Sequence, residues 1–187
     1  MNATDTSQSG FTLAELLVTM GVGALLLSVG VPAFTTVVMN SNQIGSANEF
    51  LSSMHLARDL AITRNVRVTM CPSDNGASCA AVAWHEGWIV FVDTDADGQV
   101  DAGEAVARAV TQIEVPSITT AQFGNALIFR PNGRAMAGTV ANNTGELTFC
   151  DQRGSAHARV AIVDMSGRPR ISRKRMDGSA PVCPSVI

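Results

Sequence analysis

Charge disappears from this chain for 33 consecutive positions, from Leu16 to Asn48. Inside that run, Leu16–Met39 (LLVTMGVGALLLSVGVPAFTTVVM) is almost wholly apolar. Its 24 residues are enough to cross about 30 Å of hydrocarbon as a helix. The pattern then changes period. Ile44, Ala47, Phe50 or Leu51, Met54, Ala57 and Ala61 recur every three or four residues, with Arg58, Asp59 and Arg64 between them. That spacing predicts that the helix continues over 40–65 as an amphipathic segment and lays one apolar stripe on a sheet. Beyond residue 65 the apolar runs become short and rich in β-branched residues. Strands are predicted at Val66–Cys71, Gly87–Asp93, Val106–Val115, Asn125–Arg130, Glu146–Cys150, Arg159–Met165 and Arg168–Ser172. Turn dipeptides stand between them at Asp97-Gly98, Asn132-Gly133, Ser166-Gly167 and Asp177-Gly178. One long helix followed by six or seven strands predicts an α+β fold, the helix packed on antiparallel sheet over residues 66–187.

Composition changes this picture in two ways. Tyr is absent and aromatics are 5% of the chain, so the core is built mainly from aliphatic residues and Met. The net charge of −3 conceals a segregation by sign. Residues 71–104 hold seven acids and no Lys or Arg, whereas from Arg130 onward nine basic residues face four acids. Twelve of the thirteen basic residues are Arg, and Lys174 is the single Lys. Arg makes planar, bidentate contact with phosphate or carboxylate; a GC-rich codon bias also raises Arg over Lys, but does not cluster it.

The first ten residues are small and polar, without the basic and apolar regions of a secretory signal, and are set aside from the fold as a leader. Gly10 is then followed abruptly by Phe11-Thr-Leu-Ala-Glu15-Leu-Leu and the uncharged helix. This string resembles the prepilin peptidase site of type IV pilins and type II secretion pseudopilins. The resemblance implies cleavage between Gly10 and Phe11, N-methylation of Phe11, and a transmembrane and assembly helix over 11–39 held in the inner membrane. It also implies that Glu15 pairs with the N-terminal amine of a neighbouring subunit. A lone carboxylate at the membrane edge is costly without such a cation. Pro32 lies where pilins often have a kinked or melted turn. Further on, Cys71-Pro-Ser, Trp84-His-Glu-Gly87-Trp, the acidic run after Asp93, Phe149-Cys150-Asp-x-Arg-Gly and Gly167-Arg-Pro-Arg170 resemble the GspH/FimT group of minor pilins. The resemblance covers nearly the whole chain. It implies a pilin-like fold, a single-pass anchor in the bacterial inner membrane, a periplasmic domain that becomes extracellular in a pilus, and prepilin peptidase and other pilins as partners.

Four cysteines allow three pairings. In an oxidising compartment outside the cytoplasm, disulfides are expected. Cys71 and Cys79 flank a short loop containing Pro72 and Gly76, so their pairing is natural, and Cys150 would then meet Cys183. A zinc site at Cys71, Cys79 and His85 is the rival, although that spacing matches no standard structural pattern. The run Asp93-Thr-Asp95-Ala-Asp97-Gly-Gln-Val-Asp101-Ala-Gly-Glu104 places oxygen ligands at positions 1, 3, 5, 9 and 12 of an EF-hand loop, with Gly at 6 and an apolar residue at 8. Ca²⁺ is therefore a candidate ligand that would order the loop. A plain hairpin tip, with Asp and Gly supplying turn geometry, is the other reading.

Nothing in the chain resembles a catalytic constellation. Gly-x-Ser-x-Gly, P-loop and HExxH motifs are absent, and His55, His85 and His157 stand in unrelated segments. The sequence therefore points away from an enzyme. Two functions remain. By resemblance, Gly167-Arg168-Pro169-Arg170 matches a Gly-Arg-x-Arg motif with which FimT-type pilins bind DNA. Pro169 lacks an N–H and suits a sheet edge, where Arg168 and Arg170 would share one side. Arg173, Lys174 and Arg175 extend the strip. This reading makes the chain a minor pilin that binds DNA through phosphate, without sequence preference, for uptake in natural transformation. The alternative is a structural minor pseudopilin of a type II secretion system with no DNA binding.

Overall fold

The computed structural model describes residues 10–111, 113–137 and 143–184. The leader therefore lies outside the described residues, apart from Gly10. The chain divides into two compact units, residues 1–39 and 40–187.

Helix α1 runs over Leu13–Arg64. The Thr12 hydroxyl starts it by accepting the Glu15 N–H at 3.2 Å, which satisfies one of the donors a helix start leaves free. Between Leu13 and Val38 its large apolar side chains are exposed on every side, including Leu16, Leu25, Val29 and Phe34. A helix apolar all round needs a surrounding of lipid or of other helices. The resemblance placed a kink or melted turn near Pro32, but α1 passes through it unbroken. Thr35 and Thr36 turn their hydroxyls back onto the Pro32 carbonyl, each at 2.9 Å.

In the second unit the helix meets two antiparallel sheets. Strands β1 (Arg67–Pro72), β2 (Trp88–Asp93), β3 (Val106–Val110), β5 (Leu127–Phe129) and β6 (Ala135–Ala137) form one sheet in the order β3-β2-β1-β5-β6. Strands β4 (Ser117–Thr120), β7 (Gly145–Cys150), β8 (Arg159–Val163) and β9 (Pro169–Ser172) form the other, in the order β4-β7-β8-β9. The long strand predicted over Val106–Val115 is only half strand, and the next strand lies beyond it in the other sheet. β3 ends at Val110, Val115 is buried in the core, and after Pro116, which has no ladder N–H, the chain resumes as β4. β4 and β6 are the strands that periodicity did not mark. Both are three or four residues long, too short for an alternation to register.

The core is one cluster in which Ala47, Phe50, Met54, Ala57 and Ala61 of the helix pack with side chains of both sheets. Phe50 sits at its centre, with edge-on contacts to Trp84, Trp88 and Phe149 at centroid distances of 5.5, 4.9 and 5.6 Å. Both indole N–H groups are satisfied. Trp84 Nε1 donates to the Gly124 carbonyl at 2.7 Å and Trp88 Nε1 to Ser53 Oγ at 3.0 Å. The buried stripe is rotated from the predicted one at its start. Gln43 is buried and Ile44 exposed, because the Gln43 amide donates to the Phe149 carbonyl on β7 at 3.1 Å.

Candidate functional site

Gly10 and Phe11 precede the helix, and Phe11 is almost fully exposed. Glu15 lies in the first turn of α1 with its carboxylate exposed.

The C-terminal basic residues fall on and after β9, the edge strand of the four-stranded sheet. Pro169 opens β9 opposite Val163, and Arg170 lies opposite Ile162. Pro169 is buried, while Arg168 and Arg170 on either side of it are exposed. The alternation of a strand thus puts both guanidinium groups in solvent on one side. The turn before them is built by Asp164. Its Oδ1 accepts the Ser166 N–H at 2.9 Å, the Ser166 hydroxyl at 2.6 Å and the Arg168 N–H at 3.1 Å. The Ser166 hydroxyl, with these backbone donors and the Arg168 charge, holds the Asp164 carboxyl below its usual range against a smaller opposing effect of burial. Gly167 completes the turn at φ 74°, and a Cβ there would overlap the Gly133 carbonyl. The β8–β9 turn therefore rests directly on the β5–β6 turn. Arg134, which follows Gly133 and is exposed, is drawn beside Gly167 by this approach. Arg58 of α1 joins the same spot by donating Nε to the Gly133 carbonyl at 3.0 Å. Neither Arg58 nor Arg134 was a sequence candidate, because they lie 110 and 34 residues from Arg168 along the chain. The close approach that Gly133 and Gly167 permit is what unites them.

Beyond β9, Arg173 and Lys174 are exposed. Arg173 lies near enough to Arg159 that its charge, after burial and together with Arg153, lowers the Arg159 guanidinium from its ordinary value. Arg175 differs from the rest. Its Nε donates to Glu146 Oε1 at 2.6 Å, and the Met176 N–H donates to Glu146 Oε2 at 2.7 Å. Glu146 belongs to β7 and its side chain is only 7% exposed, so Arg175 and Met176 fasten the segment after β9 to the sheet. A second fastening is covalent: Cys150, the last residue of β7, is disulfide-bonded to Cys183. The surface is thus a row of exposed cations on a backbone pinned at its turn, at Glu146 and at Cys150. Among the described residues, no acid forms an ion pair with Arg168, Arg170, Arg173 or Lys174.

Cys71 is joined to Cys79, so these two offer no thiolate to a metal, and the zinc alternative loses two of its three ligands. His55 and His157 are exposed and His85 half-buried, each in a different part of the chain. The acidic run forms the connection between β2 and β3. One carboxylate oxygen from each of Asp93, Asp95 and Asp97 lies within 4.8 Å of the other two. Asp101 is pushed above the usual carboxylate range, chiefly by the charge of Asp97. Glu104 lies outside this tight group of three but serves the same loop, accepting from the Asp95 backbone N–H as well. It accepts from Thr94 N at 2.6 Å, Thr94 Oγ1 at 2.8 Å and Asp101 N at 3.3 Å, and so closes the loop.

A family model described as type II transport protein GspH matches residues 46–167, and one described as the prokaryotic N-terminal methylation motif matches residues 5–31. Among solved structures, the chain is similar to the type IV minor pilin FimU of Pseudomonas aeruginosa strain PAO1 in two crystal forms. One gives a TM-score of 0.53 at 16% identity over 73% of this chain and 95% of that one. The other gives 0.51 at 17% identity over 74% and 92%. The minor pseudopilin EpsH from the type 2 secretion system of Vibrio cholerae aligns with a TM-score of 0.49 at 12% identity, over 70% and 96% of the two chains. No curated protein matches the chain by sequence.

Proposed function

The chain belongs to the GspH family, which makes it a minor pilin or pseudopilin, and on that premise we propose that it is a pilus subunit binding DNA through the cationic surface around β9. The observation that carries this reading is the exposure of Arg168 and Arg170 on an edge strand with a buried proline between them. A subunit that served only to pack against its neighbours has no need of a row of cations held in place by three separate fastenings. Arg173 and Lys174 lengthen the row, and Arg134 adds a charge from the adjoining turn. Arg175 serves by holding the segment to Glu146. Nothing beside the row resembles a base-reading helix, α1 reaching the spot through Arg58 on the Gly133 carbonyl, and no aromatic platform adjoins it among the described residues, so contact is with phosphate and is indifferent to base sequence. Uptake of DNA in natural transformation is the process such a surface suits.

At the other end of the chain, the prepilin peptidase cuts after Gly10, Phe11 becomes the methylated N-terminus, and residues 11–39 hold the subunit in the inner membrane until assembly. Glu15 then pairs with the terminal amine of a neighbouring subunit.

The test is a fluorescence anisotropy titration of the full-length mature chain in detergent micelles with duplex DNA over a range of salt. With four phosphates neutralised, log K falls against log salt with a slope of about −3 to −4. Arg168→Gln/Arg170→Gln abolishes most of the binding with an unchanged circular dichroism spectrum. Arg134→Gln flattens the slope by about 1. Wild-type binding that is absent at low salt, or undiminished in the double variant, replaces this reading with that of a structural pseudopilin.

A further inference from the structure

Asp93 is an unusual member of an acidic loop because it is not on the surface. It closes β2 and is fully buried. Its Oδ2 accepts the Thr69 hydroxyl of β1 at 2.6 Å, while its Oδ1 is buried and accepts no hydrogen bond from the described residues. Buried polar atoms almost always have a partner, so this oxygen calls for one. Asp95 and Asp97, both exposed, bring their carboxylates to the same place, with one oxygen of each of the three residues within 4.8 Å of the others. None of the ion pairs among the described residues involves these acids.

We propose that Asp93, Asp95 and Asp97 are the ligand core of a Ca²⁺ site at the connection between β2 and β3. Ca²⁺ holds oxygen ligands at about 2.3–2.6 Å, so two ligands on one ion stand up to about 5 Å apart, the separation these carboxylates already have. The donors are all carboxylate oxygens, a hard set that selects Ca²⁺ over zinc or copper. Mg²⁺ keeps most of its water and seldom occupies an all-protein cage. The ion supplies the missing partner of the Asp93 oxygen and cancels the repulsion of three adjacent anions. The loop is already shaped for it. The Gln99 N–H donates to Asp97 Oδ1 at 2.7 Å, and Val100 packs beside Cys71, Cys79 and Phe91. Glu104 secures the far end through Thr94 and Asp101. The sequence pattern counted Asp101 and Glu104 as ligands of equal rank. The three aspartates converge most tightly, and Glu104 closes the loop around them through Thr94 and Asp101. The site does not depend on the DNA-binding surface.

The test uses the full-length mature chain in detergent micelles, stripped with EDTA and titrated with CaCl₂ by isothermal calorimetry, with thermal melts alongside. The expected result is one ion per chain with Kd of about 10⁻⁴–10⁻³ M, the range of extracellular modules. The melting temperature rises by roughly 3–6 °C in 5 mM CaCl₂ over EDTA, and MgCl₂ at the same concentration leaves it unchanged. Asp95→Asn/Asp97→Asn changes two exposed side chains, so the variant folds in EDTA; it loses the calcium response, with affinity at least ten-fold weaker. Asp177→Asn, elsewhere on the surface, keeps the response. The proposal is overturned by no heat and no shift at 10 mM CaCl₂, by a shift that survives in the double variant, or by an equal shift with MgCl₂.

Discussion

Arg170 and Arg175 lie five positions apart, carry the same charge and do different work. Arg170 is surrounded by solvent, whereas Arg175 ends on a carboxylate that β7 keeps buried. Glu146, by its hydrogen bond and its charge, strengthens the hold of the Arg175 guanidinium on its proton, against a small effect of burial. Removing Arg175 strands most of a buried anion, which costs more than losing an exposed pair. Arg175→Gln is therefore expected to lower the unfolding midpoint clearly, and Arg170→Gln to leave it nearly unchanged. Urea unfolding of the two variants measures the contrast, and equal midpoints would dismiss the anchoring role of Arg175. Nothing in the string Arg173-Lys174-Arg175 distinguishes its third member, since its partner lies 29 positions away on another strand.

Among the elements, β9 and its turn show how backbone geometry places chemistry. Gly167 stands at φ 74° against the Gly133 carbonyl. A side chain here meets both the left-handed backbone penalty and a clash with main chain that cannot rotate away. Gly167→Ala is expected to destabilise the protein by at least about 2 kcal/mol, read as a drop in thermal midpoint. Gly178→Ala, at φ 83° in a turn closed in the same way but with open space around it, should show only the backbone part. Equal losses in the two would mean that the contact between the turns contributes nothing. Ser166-Gly167 was legible as a turn, and Pro169 as the mark of an edge strand. The contact that brings Arg134 and Arg58 to that turn was not, because it joins three elements distant in sequence. Helix α1 was legible along its length by its two patterns, the unbroken apolar run and the stripe of three and four. Its passage through Pro32 without a break was not.

At the scale of the whole molecule, four lowered carboxylates tie stability to pH in one direction: Glu104, which burial opposes but its bonds from Thr94 hold down, and the three that follow. Asp101, raised chiefly by the charge of Asp97, acts the other way. Asp151, though burial opposes it, is held below the usual range by hydrogen bonds from Arg153. Asp164 is lowered first by the Ser166 hydroxyl, and Asp177 first by the Ser179 hydroxyl. A carboxyl whose folded pKa is depressed stabilises the fold above its unfolded value, and that stability is lost as pH falls through the folded value. The melting temperature is therefore expected to stay level between about pH 5 and 7 with respect to these groups and to decline below about pH 4. Thermal melts in acetate and citrate buffers test this, and a midpoint still level at pH 3 contradicts it. The Cys150–Cys183 bridge spans 33 positions and acts at the same scale. On a chain-entropy account, closing a loop of that length removes about 3–4 kcal/mol worth of freedom from the unfolded state.

The α+β class, the helix with its two environments and most strands could be read from the chain because they rest on local periodicity. Apolar residues recur at the period of the element they build, and the Gly10-Phe11 string with Glu15 is a contiguous signal. Assignment of strands to two sheets, the burial of Gln43 in place of Ile44 and the division of labour among the basic residues rest on partners far away along the chain. The same holds for the loop acids. Spacing marked five oxygen ligands alike, and folding made one of them part of the core, two its exposed neighbours and Glu104 the clasp of the loop. Periodicity reports which face of an element is apolar. Which groups end within a few ångströms of one another is decided when the sheets close around Phe50, because only packing fixes distances between elements that share no stretch of chain.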